Sequence, residues 1–355
     1  MREIIDAIRL RPKRCVWELT ARCNMRCLHC ASGLGPTYSR GQELTTKEAT
    51  RLCRELKDLG CEYVVLSGGE ALLRDDWDTI ARELVALGVS ASLITNGLLI
   101  TAATARKIKD TGVCRVALSL DGLEPTHNYI RRHPNSFAVV CRSCSLLRDA
   151  GIPVNIVTHI NRMNLGELEA LEALVAGLQV KVWRLQLGSP VGRMAEHPEL
   201  HLIPEHLPRI ADFIVAAKQR GEVYIDVGDN VGYFSKHEWV LRSGADTPLF
   251  GCWCGCSAGC LAIGIEANGN VKGCLSLQCS SFVEGNIRDQ PLSAIWTRPG
   301  GFRYTRGFTT ADLAGYCKGC DYGEICRGGC TFMAFGATGS PHNNPFCLYR
   351  IQGRQ

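Results

Sequence analysis

The 355-residue chain lacks an apolar signal core at its start: "MREIIDAIRLRPKR" is charged and amphipathic. It also lacks any run near the roughly 18 uninterrupted apolar residues of a membrane helix. Both absences predict a cytoplasmic protein with no membrane attachment. Aromatic residues are scarce at 7%, and no basic run or aromatic-interleaved basic patch accompanies the formal charge of +5. Nucleic acid is therefore not an expected partner. No solenoid repeat and no low-complexity linker is found. At 46% hydrophobic, the chain has enough apolar material for one large core or two ordinary ones.

What is abundant is cysteine, at 20 residues. A disulfide framework of that density belongs to short secreted chains that carry a leader. Eleven of the twenty fall between residues 252 and 347, and three more form the cluster "CNMRCLHC" at Cys23, Cys27 and Cys30. Clustered cysteines in a reducing compartment point to metal. Cys53, Cys61, Cys114, Cys141 and Cys144 stand in apolar or helical contexts, where a small buried hydrophobe is expected.

From residue 14 to about 220, short apolar runs alternate with helical stretches. The strands are expected at 15–19, 63–66, 90–94, 114–120, 153–160 and 180–187. Helices are expected near 45–59, 75–87, 101–111, 136–150, 165–177 and 204–220. Six β-then-α units predict a parallel sheet, short of the eight that close a full barrel. The expected fold is an α/β partial (β/α)6 TIM-like barrel followed by a small cysteine-rich domain. Chemistry in such sheets gathers at the C-terminal strand ends. There stand the cysteine cluster, "SGGE" (67–70), "TNG" (95–97) and "SLDG" (119–122). After about residue 221 the helical pattern fades, glycine and cysteine become dense, and a hairpin is expected around Asn268-Gly269.

A four-iron cubane needs one external ligand per iron, so three thiolates leave one iron open to a substrate or cofactor. A zinc knuckle completed by His29 is the rival, made awkward by adjacent Cys30. This spacing, with "GGE" after the next strand, resembles the radical S-adenosylmethionine (radical SAM) superfamily over residues 14 to about 220. The resemblance implies a 4Fe–4S cluster on Cys23, Cys27 and Cys30 whose open iron chelates S-adenosylmethionine. Reductive cleavage would then release a 5′-deoxyadenosyl radical that abstracts hydrogen from substrate. It also implies that His29 takes the ring-bearing position and that Gly68, Gly69 and Glu70 receive the methionine amino group. Thr95 and Asn96 fall in the cofactor motif after the third strand; Ser119 and Asp121 are implied for the ribose, and Arg131 for the carboxylate.

Downstream, Cys317, Cys320, Cys326 and Cys330 are spaced two, five and three residues apart, and Cys347 follows. With Cys256, Gly269 and Cys274 these resemble the seven-cysteine signature of SPASM domains, the auxiliary-cluster extension of radical SAM enzymes. The resemblance implies an outer 4Fe–4S cluster on Cys317, Cys320, Cys326 and Cys347, and an inner one on Cys256, Cys274 and Cys330. For the fourth inner position Cys252, Cys254, Cys260 and Cys279 compete, with Cys260 preferred; a position left open for substrate is the alternative, and a zinc ribbon the bland one. The implied division is an extension (1–13), a radical SAM core (14–220), a bridging segment (221–250) and a SPASM domain (251–355).

The expected activity is oxidative modification of a ribosomal peptide by cross-linking, decarboxylation or dehydrogenation. A tetrapyrrole side-chain decarboxylase is the rival enzyme, and a non-catalytic iron–sulfur electron-transfer protein the rival class. Leu275 stands where sulfatase-maturing relatives carry aspartate, which argues against that route. Only 22 residues precede Cys23, so a separate leader-peptide-binding protein is a candidate partner. An electron donor of flavodoxin or ferredoxin type is implied as well. Asp229, with Asp226 and Tyr233, is expected near the mouth as an acid–base residue, and Arg184, Gln186 and Arg193 are expected to face substrate carboxylates.

Overall fold

The computed structural model describes residues 10–243 and 252–353. Most of the extension, the end of the bridging segment and residue 251 therefore lie outside the described residues. Seven parallel strands form the body of one sheet: β1 Arg14–Glu18, β2 Tyr63–Ser67, β3 Ser90–Thr95, β4 Arg115–Ser119, β5 Val154–Ile160, β6 Val182–Leu187 and β7 Tyr224–Val227. The helices between them are α1 Thr46–Asp58, α2 Trp77–Ala86, α3 Ala102–Thr111, α4 Glu124–Arg131, α5 Ser136–Asp149, α6 Leu168–Gly177 and α7 Leu207–Arg220.

Local sequence accounts for these elements. In α1 the buried Ala49, Leu52, Cys53 and Leu56 repeat at helical spacing, and Thr45 with Glu48 forms a capping box at its start. Helix α7 stops where Gly221 turns left-handed at φ +69°. The helix faces pack on the sheet in one continuous apolar core that includes Trp17, Leu66, Leu93, Ile156 and Trp183. Cys53, Cys61 and Cys144 belong to that core as expected. Cys114 is exposed and Cys141 half-buried, so those two do not serve as core hydrophobes.

The strand order is β10-β9-β8-β1-β2-β3-β4-β5-β6-β7. β8 (Ala262–Ile265), β9 (Asn270–Lys272) and β10 (Gly285–Asn286) form the expected hairpin and its return. β8 lies parallel to β1, with Cys15 beside Ile263 and Trp17 beside Ile265. β1 and β7 are not neighbours, so the barrel stays open and partial. Within the parallel sheet and its helices, two of the described elements went unforeseen. The "YIDV" of the bridging segment is a seventh parallel strand, Arg184 facing Asp226 across it. Helix α4 follows "SLDG" directly, and its arginine at the last position reaches back into the site.

Candidate radical and auxiliary-cluster site

The cysteine loop leaves the C-terminal end of β1 and is held by backbone rather than by its thiols. The Gly69 N–H donates to Thr20 O at 2.8 Å and the Glu70 N–H to Arg22 O at 2.9 Å. A Cβ at Gly69 would stand 2.2 Å from Arg22 O, and one at Gly68 2.6 Å from Thr20 O. The paired glycines of "SGGE" thus let two backbones touch. On the other side Arg193 donates to Cys27 O (2.9 Å), Gly33 O (3.0 Å) and Leu34 O (2.5 Å). Arg193 is therefore a clasp on the cysteine loop and not a substrate contact, contrary to expectation. Cys23 and Cys27 are buried and Cys30 half-buried.

Glu70 is 1% exposed. Its carboxylate accepts from Asn96 N–H at 2.9 Å and Leu72 N–H at 3.2 Å, joining the ends of β2 and β3. Burial pushes its pKa up, against hydrogen bonds from Asn96, Thr95 and Leu72 that favour the anion. The Asn96 amide donates to Asn24 Oδ1 at 2.7 Å, a second tie to the cysteine loop. Thr95 Oγ1 accepts from Gly97 N–H at 3.1 Å. Ser119 is half-buried at the end of β4.

Asp121, expected at the ribose, has its carboxylate engaged within the protein. It is fully buried, and Arg131 reaches it at 2.6 Å through Nε and 2.5 Å through Nη2. Its other oxygen accepts from His159 N–H at 2.9 Å. Burial opposes the Asp121 charge, but Arg131 and then His29, His127 and His159 outweigh it and hold the carboxyl well below the usual range. Arg131 also lies 3.8 Å from Cys27 Sγ, so one guanidinium joins the buried carboxylate to a cysteine of the loop. Burial raises the Cys27 thiol, and Arg131 opposes that rise. His29 Nε2 is 3.4 Å from Asp121, and its ring packs on His159 at 4.6 Å. His127 accepts from Asp121 N–H at 3.0 Å; burial, then Arg131, lowers it to about 4, so it is neutral near pH 7.

The C-terminal cysteines form two groups. Cys317, Cys320, Cys326 and Cys347 line one pocket together with Tyr233. Cys256, Cys274 and Cys330 are half-buried and lie close to one another: desolvation raises each thiol, and their mutual charges raise Cys274 and Cys330 further. Cys260 is coupled to Cys256 and lies beside Thr305 and Arg306. Cys279 is exposed and accepts a hydrogen bond from Ser281, unlike the half-buried three. Among the described residues no three His, Cys, Asp or Glu side chains converge as a lone metal ion requires. A four-iron cluster makes a different demand, one thiolate per iron around a cube.

Tyr233 is buried between the two groups and does not face the mouth. Its hydroxyl accepts from Cys330 N–H at 2.8 Å and donates to Asp229 O at 3.2 Å. Trp253, whose ring lies 5.0 Å from Tyr233, donates to Cys326 O at 3.0 Å. Asp229 is exposed, and its charge raises Cys256, Cys274 and Cys330. Arg184 is paired with Asp226 and is not a bare cation at the mouth.

The donor set suits iron–sulfur clusters. Buried thiols such as Cys23, pushed up to about 12 chiefly by burial, become thiolates when metal supplies the positive charge. His29 Nδ1 and His159 Nδ1 are buried without a partner, which fits a polar cofactor beside the cysteine loop. Sequence reading named Arg193 for another role and missed His159 and Asn164. Strand-end position at β5 was the signal for His159. The Asn164 amide donates to Asp121 O at 2.7 Å and to His159 O at 2.9 Å from a turn that opens α6.

Comparison with known proteins agrees with this geometry. The radical SAM superfamily model matches residues 17–175, and an iron–sulfur cluster-binding domain model (SPASM) matches 254–321. An AdoMet-dependent heme synthase of Methanosarcina barkeri is 31% identical over 347 residues, 96% of this chain and 97% of that protein. Mycofactocin maturase MftC of Mycolicibacterium smegmatis is 31% identical over 334 residues, 93% and 80% of the two chains. The Streptococcus suis SuiB structure with S-adenosylmethionine bound superposes with a TM-score of 0.74 at 18% identity, over 97% of this chain and 78% of that one. Similarity that runs nearly end to end at this identity leaves no doubt about descent: the chain belongs to the radical SAM superfamily and carries a SPASM iron–sulfur domain.

Proposed function

We propose that this radical SAM enzyme oxidises a ribosomally made peptide, the substrate class that the name of its maturase relative suggests. When bound, the reduced cluster and S-adenosylmethionine together supply a 5′-deoxyadenosyl radical that removes hydrogen from a substrate C–H bond. The chain's part is to hold and aim these groups. Cys23, Cys27 and Cys30 hold the SAM-binding cluster in a loop clasped by Arg193. The Gly68-Gly69-Glu70 turn, steadied through Asn96 and Thr95, receives the methionine amino group. Arg131, fixed by Asp121, faces the carboxylate, while Ser119 borders the ribose and His29 packs the loop against β5. Cys317, Cys320, Cys326 and Cys347 hold the outer auxiliary cluster. Cys256, Cys274 and Cys330 hold the inner one, with Cys260 the nearest candidate for a fourth ligand. Asp229 takes the proton that the substrate loses on oxidation. The electron donor is a flavodoxin or ferredoxin, the leader is presented by a separate protein, and the enzyme acts in the cytoplasm.

One observation carries the peptide reading over a tetrapyrrole. Two arginines at the sixth strand suited to propionate carboxylates are already committed, Arg193 to backbone carbonyls and Arg184 to Asp226. The second reading, a haem-type decarboxylase, draws on a relative of almost equal length. The test uses reduced, cluster-loaded enzyme with S-adenosylmethionine and a low-molecular-mass extract of the source cells. 5′-Deoxyadenosine release stimulated by the extract should vanish after protease treatment of that extract, the protease being removed before assay. Stimulation that survives protease would move the assignment to the tetrapyrrole class. Once the substrate is found, Asp229→Asn should keep S-adenosylmethionine cleavage but lower product formation by about 100-fold, the scale of a lost general base. Unchanged product formation would remove Asp229 from the chemistry.

A further inference from the structure

Tyr304 lies on the short helix Arg303–Arg306, outside every motif that the cluster assignment uses. Its ring is locked edge-on against Phe282 at 5.0 Å, and Phe282 is in turn locked against Phe335 at 5.0 Å. That packing aims the hydroxyl inward, where it is buried and its O–H finds no acceptor, only the Gly273 backbone N–H bearing on its oxygen. A buried hydroxyl without an acceptor is costly, so its position asks for one. Its surroundings narrow the choice. A Cβ at Gly273 would stand 2.2 Å from the Tyr304 oxygen, so only the glycine before Cys274 lets the hydroxyl in. Negative charge at Cys256 and Cys274 is felt at the phenol, and burial, the larger effect, acts in the same direction to keep it protonated. Glu284 does not serve as acceptor: the hydroxyl makes no hydrogen bond to it, and its oxygens take Phe302 N–H and Arg298. The thiolates of Cys256 and Cys274, the second adjoining Gly273, are the anionic acceptors that its surroundings offer.

We propose that the Tyr304 hydroxyl donates a hydrogen bond to a sulfur of the inner auxiliary cluster and so raises that cluster's reduction potential. The proposal rests on the reading that Cys256, Cys274 and Cys330 hold that cluster. A hydrogen bond to sulfur spreads thiolate charge and favours the more negative, reduced state, one of the levers by which proteins set cluster potentials. Tyr304 is then a positioning residue that acts through the cluster and makes it a readier electron acceptor.

The test uses full-length protein in which Cys23, Cys27 and Cys30 are alanine, so that only auxiliary clusters contribute. That background should hold about eight irons. About four would show that the inner-cluster reading has failed, a result separate from the role of Tyr304. In reduced protein exchanged into deuterium oxide, one cluster should show an exchangeable deuteron coupled to its spin. Tyr304→Phe, which removes a single oxygen atom, should abolish that coupling and shift one auxiliary potential downward while iron content holds. An unchanged potential and coupling would overturn the proposal. Loss of iron in Tyr304→Phe would overturn it too, because the ring substitution would then be acting on cluster assembly.

Discussion

Replacing Cys23, Cys27 and Cys30 together by alanine is expected to remove about four irons and all cleavage of S-adenosylmethionine. The fold should survive this change. The loop is tied down by Arg193 on the carbonyls of Cys27, Gly33 and Leu34, and by Thr20 O and Arg22 O on the Gly69 and Glu70 amides. None of those bonds uses a sulfur. Circular dichroism and the melting temperature should therefore match the parent protein after both have been stripped of iron. The auxiliary groups lie on other segments, so their absorbance should remain. Iron counting with a 5′-deoxyadenosine assay decides the matter: retained cleavage would mean that the open cluster lies elsewhere.

Asp121→Asn is expected to be the most damaging single substitution in the core site. It removes the charge that holds Arg131, a guanidinium only 11% exposed along its side chain. Breaking one half of such a buried pair costs about 3–5 kcal/mol, because the remaining charge has nothing to face. Cleavage of S-adenosylmethionine should fall with it, since Arg131 also lies against Cys27. Asp121→Leu combined with Arg131→Met separates the two effects. With neither charge left, that double variant should regain most of the stability yet stay inactive. Restored cleavage in the double variant would show that Arg131 has no part in the site. The sign of the pH dependence follows from the lowered Asp121 carboxyl. Its contribution is full above the ordinary aspartate range and is lost progressively as pH falls from that range to its depressed folded value. Over neutral and mildly acidic pH, Asp121 therefore adds no slope to stability.

The sequence by itself determined the cofactor class and most of the scaffold. Ligand spacing is local chemistry: Cys23, Cys27 and Cys30 can wrap three corners of a cube whatever the rest of the chain does. The first six strands and the helices between them were legible because apolar periodicity records which face is buried. The order of motifs along the chain predicted one mouth because parallel strands bring all their C-terminal ends to the same edge. β7 escaped notice because four residues, with Tyr224 exposed and Ile225 buried, leave too short a pattern to read. Helix α4 was hidden by its short, proline-opened start at Glu124-Pro125.

Only the tertiary structure decided what each polar side chain is for. Asp121 and Arg193 look equally free in the sequence, yet one is enclosed beneath Arg131 and the other clasps a loop 160 residues earlier in the chain. The hairpin's place beside β1, which brings the auxiliary domain onto the core sheet, is likewise a long-range pairing. The physical reason is the same throughout. Spacing and periodicity are properties of neighbours along the chain, whereas the partner of a buried charge or an edge strand depends on which distant segments the core brings together.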